Sequence, residues 1–360
     1  MTQDIRVLAI NPGSTTTKIA VFACERLLVE KKVEHQDAEL KEYKKATDQY
    51  EYRLRLVKMA LAEAGIDLNS LAAIVGRGGI LKPLAGGTYA VNEQMVDDLM
   101  QRPGADHASN LGAVIAYQLG RDLGIPAFIV DPVVVDEYED VARLSGHWEV
   151  DRLSRSHALN MKAVARKVAA DLGRTYQDVT LVVAHLGSGF SVSVHSKGRM
   201  IDTTNANDEG PFSIERAGDL PTTQLVELCK AKFDAGHSLR EVQALLTKES
   251  GLYGYLGTKD LREAEKRANA GDAKANLVLD AMVYQIAKSI GSMATVVCGR
   301  VDRVVLTGGV AHSERITTGV RQRVEFIAPV VVVPGEEELS ALAQGALRVL
   351  RGEEQAKDYS

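Results

Sequence analysis

The feature that most constrains the fold is a strand–turn–strand pattern that occurs twice, in widely separated parts of the chain. The first copy runs from Val7 to Phe22 and turns at Asn11-Pro12-Gly13-Ser14-Thr15, and the second runs from Leu181 to Val194 and turns at Leu186-Gly187-Ser188-Gly189. In both copies apolar strands flank a turn of small residues, whose backbone N–H groups and hydroxyls suit phosphate oxygens. The repetition predicts two related domains that face one polyphosphate.

A third glycine turn strengthens this interpretation. Gly308-Gly309-Val310-Ala311-His312 follows the apolar strand Val304-Val305-Leu306-Thr307 and precedes a predicted helix. A single turn of this kind is common in ordinary hairpins and strand–helix junctions. Three of them, each at the end of an apolar strand, indicate a nucleotide phosphotransferase.

Length and charge limit the class of protein. A chain of 360 residues with 45% hydrophobic and 25% charged residues is typical of about two globular domains. The net charge of −5 and the absence of a long basic run argue against a nucleic-acid partner. The chain enters its first strand directly after Met1-Thr2-Gln3-Asp4, which leaves no room for a signal peptide, and no apolar run is long enough to cross a bilayer. We therefore expect a cytoplasmic protein.

Several familiar site motifs are missing from the sequence. Cys24, Cys229 and Cys298 are odd in number and far apart, so we expect free thiols in the core. HExxH and CxxC motifs are absent, which argues against a metal cage built from protein ligands alone. The sequence also lacks GxxxxGK[ST], which excludes Walker-type ATPases, and a GxGxxG after a strand, which weakens a dinucleotide-binding interpretation.

Helical and strand patterns alternate along the chain, which predicts an α/β fold with mixed sheets flanked by helices. We expect helices over about 41–64, 109–124, 158–172 and 273–297, among others. The pattern weakens between Arg143 and Asp151, so we place the domain boundary there: residues 1–150 with the last helix, 338–360, form the first domain and residues 151–337 the second. Because no flexible linker separates the two, a ligand cleft between them is expected.

Polar side chains at the predicted strand ends are candidates for chemistry. Asn11, Ser14, Thr15 and Lys18 lie in or beside the first turn, and four polar residues together, one of them a lysine, favour phosphate contact. Arg77 stands between a short strand and two glycines, and Asp131 ends a buried strand directly before Pro132. A carboxylate in that position can hold Mg²⁺, orient an arginine or simply cap a turn. The lone histidines His107, His157, His185 and His312 are more often structural than catalytic.

These motifs together resemble the acetate kinase branch of the superfamily of acetate and sugar kinases, actin and chaperone ATPases. The resemblance extends from Asn11 to Ala346. The matching segments are Asn11–Thr15 (N-x-G-S-S/T), Arg77–Gly79 (an arginine before H-G-G), Asp106–Leu111 (L-H-N-P-x-N), Ser156–Asn160 (F-H-G-T-S-H), Arg216–Pro221 (T-R-C-G-x-x-D-P), Asp260–Glu263 (D-[FMV]-R) and Glu336–Leu339 (N-E-E).

The resemblance implies two duplicated actin-like ATPase domains of the ribonuclease H type. It also implies reversible in-line phosphoryl transfer between ATP and a short-chain carboxylic acid, Mg²⁺ bound with ATP or ADP, and a homodimer or a higher multiple. A phosphoryl group in flight carries spread negative charge, so cations and positioning supply most of the catalysis. The acid has a pKa of roughly 4–5, like a Glu side chain, and needs no general base.

Position by position, the resemblance implies a role for each candidate. Arg77 and Arg216 flank the phosphoryl group, His157 donates a hydrogen bond to it, and Asn11, Ser14 and Lys18 contact phosphate. The substrate site includes His107, Ser156 and Gly79. Asp131, Asn11 and Glu337, with Glu338 as the alternative to Glu337, hold Mg²⁺ directly or through water. The nucleotide residues are His185, Gly187, Gly189, Asp260, Leu261, Arg262, Gly308, Gly309 and Ala311.

Departures from the acetate kinase motifs concern the acid substrate. Ser156 replaces a bulky Phe, Gly78 and Gly79 replace larger residues, and Met161 replaces the second His of F-H-G-T-S-H. Smaller residues enlarge the acyl pocket and favour acids of four or more carbons over acetate. Acetate, propionate and isobutyrate remain alternative substrates. A rival of another class is a non-catalytic actin-like nucleotide sensor, against which the pair Arg77 and Arg216 argues.

Overall fold

The structure is a computed structural model that describes residues 4–101 and 106–360. The strands are β1 (Arg6–Pro12), β2 (Thr16–Ala23), β3 (Arg26–Glu34), β4 (Ala73–Gly76), β5 (Thr88–Ala90), β6 (Ala127–Val130), β7 (Leu144–His147), β8 (Val150–Asp151), β9 (Thr180–Leu186), β10 (Phe190–Ser196), β11 (Arg199–Thr203), β12 (Arg303–Gly308) and β13 (Val330–Pro334).

Helices connect and cover these strands. They are α1 (Asp37–Leu40), α2 (Tyr50–Glu63), α3 (Glu93–Gln101), α4 (Asn110–Leu123), α5 (Asp140–Arg143), α6 (Ala158–Asp171), α7 (Thr222–Asp234), α8 (Leu239–Lys248), α9 (Gly251–Leu256), α10 (Leu261–Asn269), α11 (Ala273–Val296), α12 (Glu314–Val324) and α13 (Glu338–Leu350). Short 3₁₀ turns occur at Thr47–Gln49, Leu68–Ser70, Tyr176–Asp178 and Gly309–His312. No helix in the described part of the chain is long and apolar enough to span a membrane.

The first sheet has the order β3-β2-β1-β4-β6-β5. Strands β1, β2 and β3 form an antiparallel meander, and β4 and β6 run parallel to β1. The register pairs Ile10 with Gly76 and Gly76 with Ile129. The next residues along these three strands, Asn11, Arg77 and Val130, therefore meet at the carboxyl edge of the sheet.

The second sheet repeats this arrangement. Its order is β11-β10-β9-β12-β13, with an antiparallel meander of β9, β10 and β11 and with β12 and β13 parallel to β9. Thr307 pairs with His185, and Gly308 pairs with Pro334, so the ends of β9, β12 and β13 also share one edge. The predicted fold, two duplicated mixed sheets flanked by helices, is confirmed.

Each sheet is covered by apolar helix faces. On the first sheet, α4 buries Leu111, Ile115 and Leu119 at helical spacing, and α13 buries Leu342 and Ala346. Burial of such faces supplies most of the stability of helices of this length. On the second sheet, α11 is the main covering helix on one face, and its buried residues are Leu279, Met282, Ile286 and Ile290. The other face packs against Met161, Ala165 and Val168 of α6.

The chain divides into two compact units. The first comprises Met1–Val135, Ala158–Asn160 and Glu337–Ser360, and the second comprises Asp136–His157 and Met161–Glu336. The first unit thus ends before the boundary that the sequence indicated near residue 150. Contacts of the segment after Val135 explain the difference. Tyr138 Oη donates to Thr203 O at 2.6 Å, and Glu139 N–H donates to Ile201 O at 3.1 Å, so this segment packs on β11.

Two local expectations from the sequence are wrong. The helix expected over about 41–64 begins only at Tyr50, because the charged residues before it have no apolar face to bury and form turns instead. The cysteines are free, as expected, but they are not core residues: Cys24 and Cys229 are half-buried and Cys298 is exposed. Cys24 and Cys298 have φ angles of 51° and 54°, which place them at turns.

Candidate active site

At the carboxyl edge of the first sheet, one glutamate joins the side chains at the ends of β1 and β4. Asn11 Nδ2 donates to Glu338 Oε2 at 2.5 Å, and Arg77 Nη1 donates to Glu338 Oε1. The backbone N–H of Arg77 donates to Ile10 O at 2.8 Å, which continues the β1–β4 ladder. The side chain of Arg77 is only 13% exposed, so its guanidinium is fixed at the edge rather than solvated.

Of the two carboxylates considered for this edge, Glu338 is the one in contact with Asn11 and Arg77. Glu337 is exposed, occupies the N-cap position of α13, and accepts Ala341 N–H with its carbonyl at 2.8 Å. The sequence left this choice open because the two residues are adjacent. The helix start at Glu338 decides which of them faces the sheet.

Asp131 stands one residue beyond β6 on the same edge. Its side chain is 1% exposed, and Oδ1 accepts the N–H of Gly87 at 2.7 Å while its own N–H donates to Gly87 O at 3.0 Å. Its φ of 37° is strained for a residue with a side chain. The backbone bonds to Gly87 hold the carboxylate in this strained position.

The first turn carries the predicted phosphate-binding residues. Ser14 is exposed, and Lys18 is exposed and pairs directly with Asn11 across β1 and β2, so both of those side chains project from the same face of the sheet. The turn rests on Arg53, a fully buried residue of α2 that the sequence analysis did not select. Nothing local in the sequence marks Arg53 as a support of the turn, because the carbonyls that it contacts there are about 40 residues away.

Gly79 and His107 lie near the start of α4. A Cβ at position 79 would collide with Asn110, whose Oδ1 accepts Ile80 N–H at 2.9 Å, so the close approach of the two backbones requires glycine. His107 is exposed, and its Nδ1 accepts the N–H of Ser109 at 3.2 Å.

At the edge of the second sheet, two histidine rings stack. His157, which precedes α6, lies 4.0 Å from His185 between ring centroids, and the ring planes are 13° apart. Ser191 Oγ is 3.0 Å from His157 Nδ1. His185 is 1% exposed, and its Nε2 is 3.1 Å from Glu336 Oε1. The sequence pattern assigns no role to Glu336, although it lies in the matching segment Glu336–Leu339.

Arg216 lies against the second glycine turn. Its guanidinium occupies the space that a side chain at Gly189 would fill, and Nη1 donates to Ala206 O at 2.8 Å. Ser213 Oγ accepts Arg216 N–H at 3.2 Å and donates to Ser188 O at 2.6 Å. Arg216 Nε is buried and has no hydrogen-bond partner among the described residues, and burial lowers the pKa of Arg216 below its ordinary value. The N–H of Nε can donate a hydrogen bond to an anion.

Comparison with known proteins shows the family of this chain. Residues 148–333 match the sequence model of the acetokinase family. The chain belongs to that family. A protein of Thermotoga petrophila named "Probable butyrate kinase" is 51% identical over 354 residues, which cover 98% of each chain.

Solved acetokinases share the fold. The acetate kinase of Porphyromonas gingivalis aligns with a TM-score of 0.77 at 19% identity and covers 96% of this chain and all of its own. A propionate kinase of Francisella tularensis aligns with a TM-score of 0.71 at 18% identity, over 94% of this chain and 98% of its own.

The third glycine turn lies beside the second. Gly308 has a φ of 90°, and a Cβ there would collide with the backbone of Leu186. Gly309 is exposed and faces open space, whereas Ala311 is buried. The predicted nucleotide residues on both turns are thus brought to one edge.

The remaining nucleotide candidates lie on α10. Asp260 caps this helix by accepting Arg262 N–H at 2.9 Å, and Arg262 forms an exposed ion pair with Asp260 at 2.7 Å. Leu261 packs half-buried against the core of the unit. Ser313, at the start of α12, donates to Glu265 and so joins α10 to the third turn.

Ser156 is buried and its hydroxyl contacts Met200 Sδ at 3.8 Å. Met200 is fully buried, and its N–H donates to Glu137 Oε2 at 2.7 Å. Glu137 in turn forms a buried ion pair with Lys162 at 2.7 Å. Met200 therefore occupies one side of the space next to Ser156, which the sequence analysis did not reveal.

Proposed function

We propose that this protein is a butyrate kinase, which transfers a phosphoryl group reversibly between ATP and butyrate to give butyryl phosphate and ADP. The observation that carries the proposal is the 51% identity, across nearly the whole chain, to a protein named as a butyrate kinase. Four sequence strings that resemble butyrate kinases support the choice of acid: Pro132–Glu137, His157–Asn160, Ser213–Pro221 and Leu306–Ser313.

The chemistry requires little from the protein beyond charge and position. A carboxylate oxygen of butyrate attacks the γ-phosphorus in line, the bond from phosphorus to the β,γ-bridging oxygen breaks, and ADP leaves with that oxygen. Butyrate is already ionised at neutral pH, so no residue has to remove a proton. Arg216, whose buried Nε has no protein partner in the described range, and Arg77 supply positive charge where the transition state spreads negative charge.

His157 is suited to donate a hydrogen bond to the phosphoryl group. The stack on His185 and the contact with Ser191 hold its ring in one orientation. Asp131, which is buried and bonded to the backbone of Gly87, fits an orienting role better than that of a base.

Magnesium is the expected companion of ATP. In the described residues no three His, Cys, Asp or Glu side chains cluster as a metal site. Glu338 and Asn11 offer one carboxylate and one amide oxygen at the same edge. So sparse a donor set fits Mg²⁺, which keeps several waters and binds phosphate oxygens, and the ion would neutralise phosphate charge there. We propose Glu338, not Glu337, as the carboxylate that holds it, with Asp131 as an orienting neighbour.

The glycine turns of the second sheet would bind the nucleotide phosphates. Gly187 and Gly189 on one turn and Gly308 and Gly309 on the next add no side chains of their own to these turns, and Gly309 is exposed and faces open space. The adenosine would lie towards Asp260 and Arg262, as in the family motif.

We also propose that the protein acts as a homodimer in the cytoplasm, as the resemblance implies. Static light scattering at micromolar concentration is expected to give twice the chain mass of 38.9 kDa, or a larger multiple. A monomer would remove this part of the proposal.

The test of function is an acid series in which hydroxylamine traps the acyl phosphate formed from ATP. Each methylene that becomes buried contributes about 0.8 kcal/mol, so two extra methylenes predict about tenfold or more preference for butyrate over acetate in kcat/KM. Propionate and isobutyrate are the comparison acids. Equal use of acetate and butyrate would contradict the acyl preference, and no hydroxamate from any acid would contradict a kinase of carboxylic acids.

A further inference from the structure

A buried arginine beneath the first turn has no counter-charge among the side chains that the structure describes. Arg53 is fully buried in α2. Its Nε and Nη2 both donate to the single oxygen Oε1 of Gln49, at 2.9 and 2.8 Å. Among the residues whose side chains the structure describes, no carboxylate forms an ion pair with Arg53. A buried charge without a partner is costly, and a glutamate in place of Gln49 would supply the partner. The chain has a neutral amide at that position instead.

The rest of the guanidinium is directed at the turn. Arg53 Nη1 donates to Gly13 O at 2.8 Å and to Thr16 O at 3.3 Å, and Nη2 donates to Ser14 O at 2.9 Å. The carbonyl of Thr15 accepts His35 N–H at 2.9 Å. Four consecutive carbonyl oxygens of the turn are therefore occupied by donors from the protein.

Because these carbonyl oxygens are engaged, the outer side of the turn presents backbone N–H groups. Carbonyl oxygens repel phosphate, and here Arg53 and His35 engage them. In the described part of the chain, the N–H groups of Ser14 and Thr15 have no hydrogen-bond acceptor. Successive unpaired N–H groups on a turn form an anion-binding concavity, and the cation below adds to its positive potential.

We propose that Arg53 is a positioning residue that shapes the Gly13–Thr16 turn and charges it for a phosphate group of the substrate. Arg53 touches the turn and not the substrate. A phosphate that binds at the turn would neutralise the uncompensated positive charge of Arg53, which lies on the other side of the turn. The inference rests on the proposed function for the identity of the phosphate, and it assigns the site of binding to the turn itself.

The decisive variant is Gln49→Glu. It keeps the shape and the acceptor oxygen but supplies a carboxylate that pairs with Arg53. If Arg53 only holds the fold together, pairing its charge should raise the thermal midpoint and leave activity unchanged. If its charge serves phosphate binding, the midpoint stays equal or rises while kcat falls about tenfold or more, because the positive potential at the turn is cancelled. A Gln49→Glu protein with wild-type kcat and an undiminished midpoint would overturn the proposal.

A second measurement does not depend on the reaction. Inorganic phosphate that binds the folded protein raises its thermal midpoint by mass action. We expect a smaller rise for Gln49→Glu than for wild type at the same phosphate concentration. Arg348→Met is the matched control, because it removes a half-buried arginine that pairs with Glu354 at 2.8 Å in the same unit, away from the turn. It should keep the full phosphate shift, and equal shifts in all three proteins would contradict a phosphate site at the turn.

Arg53→Lys decides the question if Gln49→Glu is unstable. The ammonium keeps the charge but cannot reach the three carbonyls, so the turn loses its shape and kcat should fall about 10²-fold. Wild-type kcat in a folded Arg53→Lys protein would overturn the inference. A wild-type protein that phosphorylates no acid, yet shows a phosphate shift that Gln49→Glu reduces, would remove the proposed function and leave the inference standing.

Discussion

Three arginines beside the predicted phosphate sites differ in how their charge is balanced. Arg77 shares Glu338 with Asn11, so an arriving anion must compete with a carboxylate for it. Arg216 bonds only neutral groups and has a buried Nε without a partner in the described range. Among the described residues, Arg53 bonds only oxygens of amides and of one hydroxyl. At the scale of single residues, Arg216 therefore offers the most available charge.

Arg216→Ala should consequently lower kcat by about 10³-fold, as the loss of an arginine finger does. Its guanidinium packs on Gly189, so Arg216→Lys, which keeps a charge but loses the planar fork, should recover only part of the rate. The measurement is the initial rate at saturating ATP and acid. Melting curves show whether both variants fold. Near-normal kcat in Arg216→Ala with weakened ATP binding would assign this arginine to the nucleotide instead.

Glu337 and Glu338 provide a matched pair for the metal assignment. Glu338→Gln should raise the Mg²⁺ concentration needed for half-maximal rate, because the carboxylate beside Asn11 is lost. Glu337→Gln changes an exposed residue of the same charge, so its Mg²⁺ titration should superimpose on that of wild type. A raised Mg²⁺ requirement in Glu337→Gln, with a wild-type titration in Glu338→Gln, would assign the metal to Glu337.

His35 predicts how acid destabilises the first unit. Burial and, next, the charge of Arg53 lower the pKa of His35 from 6.5 to about 4, against a smaller opposing effect of Glu39. Between pH 6.5 and pH 4 the unfolded chain therefore binds a proton on His35 that the folded chain does not bind. The contribution of His35 to the free energy of unfolding is complete above pH 6.5 and is lost as the pH falls towards 4. The full shift corresponds to about 3 kcal/mol.

Urea unfolding of His35→Gln followed from pH 7 to pH 4 tests this prediction. The variant can still form a hydrogen bond with Thr17 but cannot titrate, so its stability should fall less steeply than that of wild type. His237→Gln, at an exposed position, is the control and should follow wild type. Parallel curves for His35→Gln and wild type would show that His35 does not titrate as the contacts imply.

At the scale of elements, the sequence predicts well what local pattern determines. The helix expected over 273–297 is observed as Ala273–Val296, because Asp272 caps it and its apolar residues recur at helical spacing. The helix expected from residue 41 begins at Tyr50, because charge without an apolar face does not fix a helix. The sequence also predicted polar candidates at strand ends, and the structure brings three of them, Asn11, Arg77 and Asp131, to one edge of the first sheet.

What the sequence did not predict depends on contacts between distant residues. Arg53 meets the first turn, Glu336 meets His185, and Met200 meets Ser156, over separations that carry no periodic signal. The choice between Glu337 and Glu338 needed the first residue of α13. Boundaries of helices are the least determined feature of a sequence pattern, and here one such boundary decides the proposed metal ligand.

The third turn yields a prediction from two adjacent glycines. Gly308 has a φ of 90° and no room for a Cβ beside Leu186, whereas Gly309 faces open space. Gly308→Ala should cost about 1–3 kcal/mol of stability through backbone strain, with more from the collision. Gly309→Ala should change stability by less than about 0.5 kcal/mol. Urea midpoints compare the two, and equal losses would contradict the described turn.

Gly309→Ala also tests the nucleotide assignment. A methyl group in the open space should raise the KM for ATP if phosphates approach the backbone there, while the KM for butyrate stays close to that of wild type. An unchanged KM for ATP would place the nucleotide elsewhere.

At the scale of the whole molecule, the first unit is not one continuous stretch of the chain, because it includes both the first and the last segments. The first unit needs the last segment of the chain, because α13 buries Leu342 and Ala346 on its sheet, and Tyr359 Oη donates to Asp98 at 2.6 Å. The second unit has its own sheet and core within Asp136–Glu336. Two separate cores make a single two-state unfolding transition an unsafe assumption.

Removing residues 337–360 should therefore unfold the first unit and spare the second. Hydrogen exchange with mass spectrometry should show fast exchange in β1, β4 and β6, which lose the cover of α13, and continued protection in β9 and β12 of the second unit. Full-length Glu338→Gln separates this effect from the loss of one carboxylate and should keep all five strands protected. If the truncated chain protected β1 and β4 as wild type does, α13 would be dispensable for the first core.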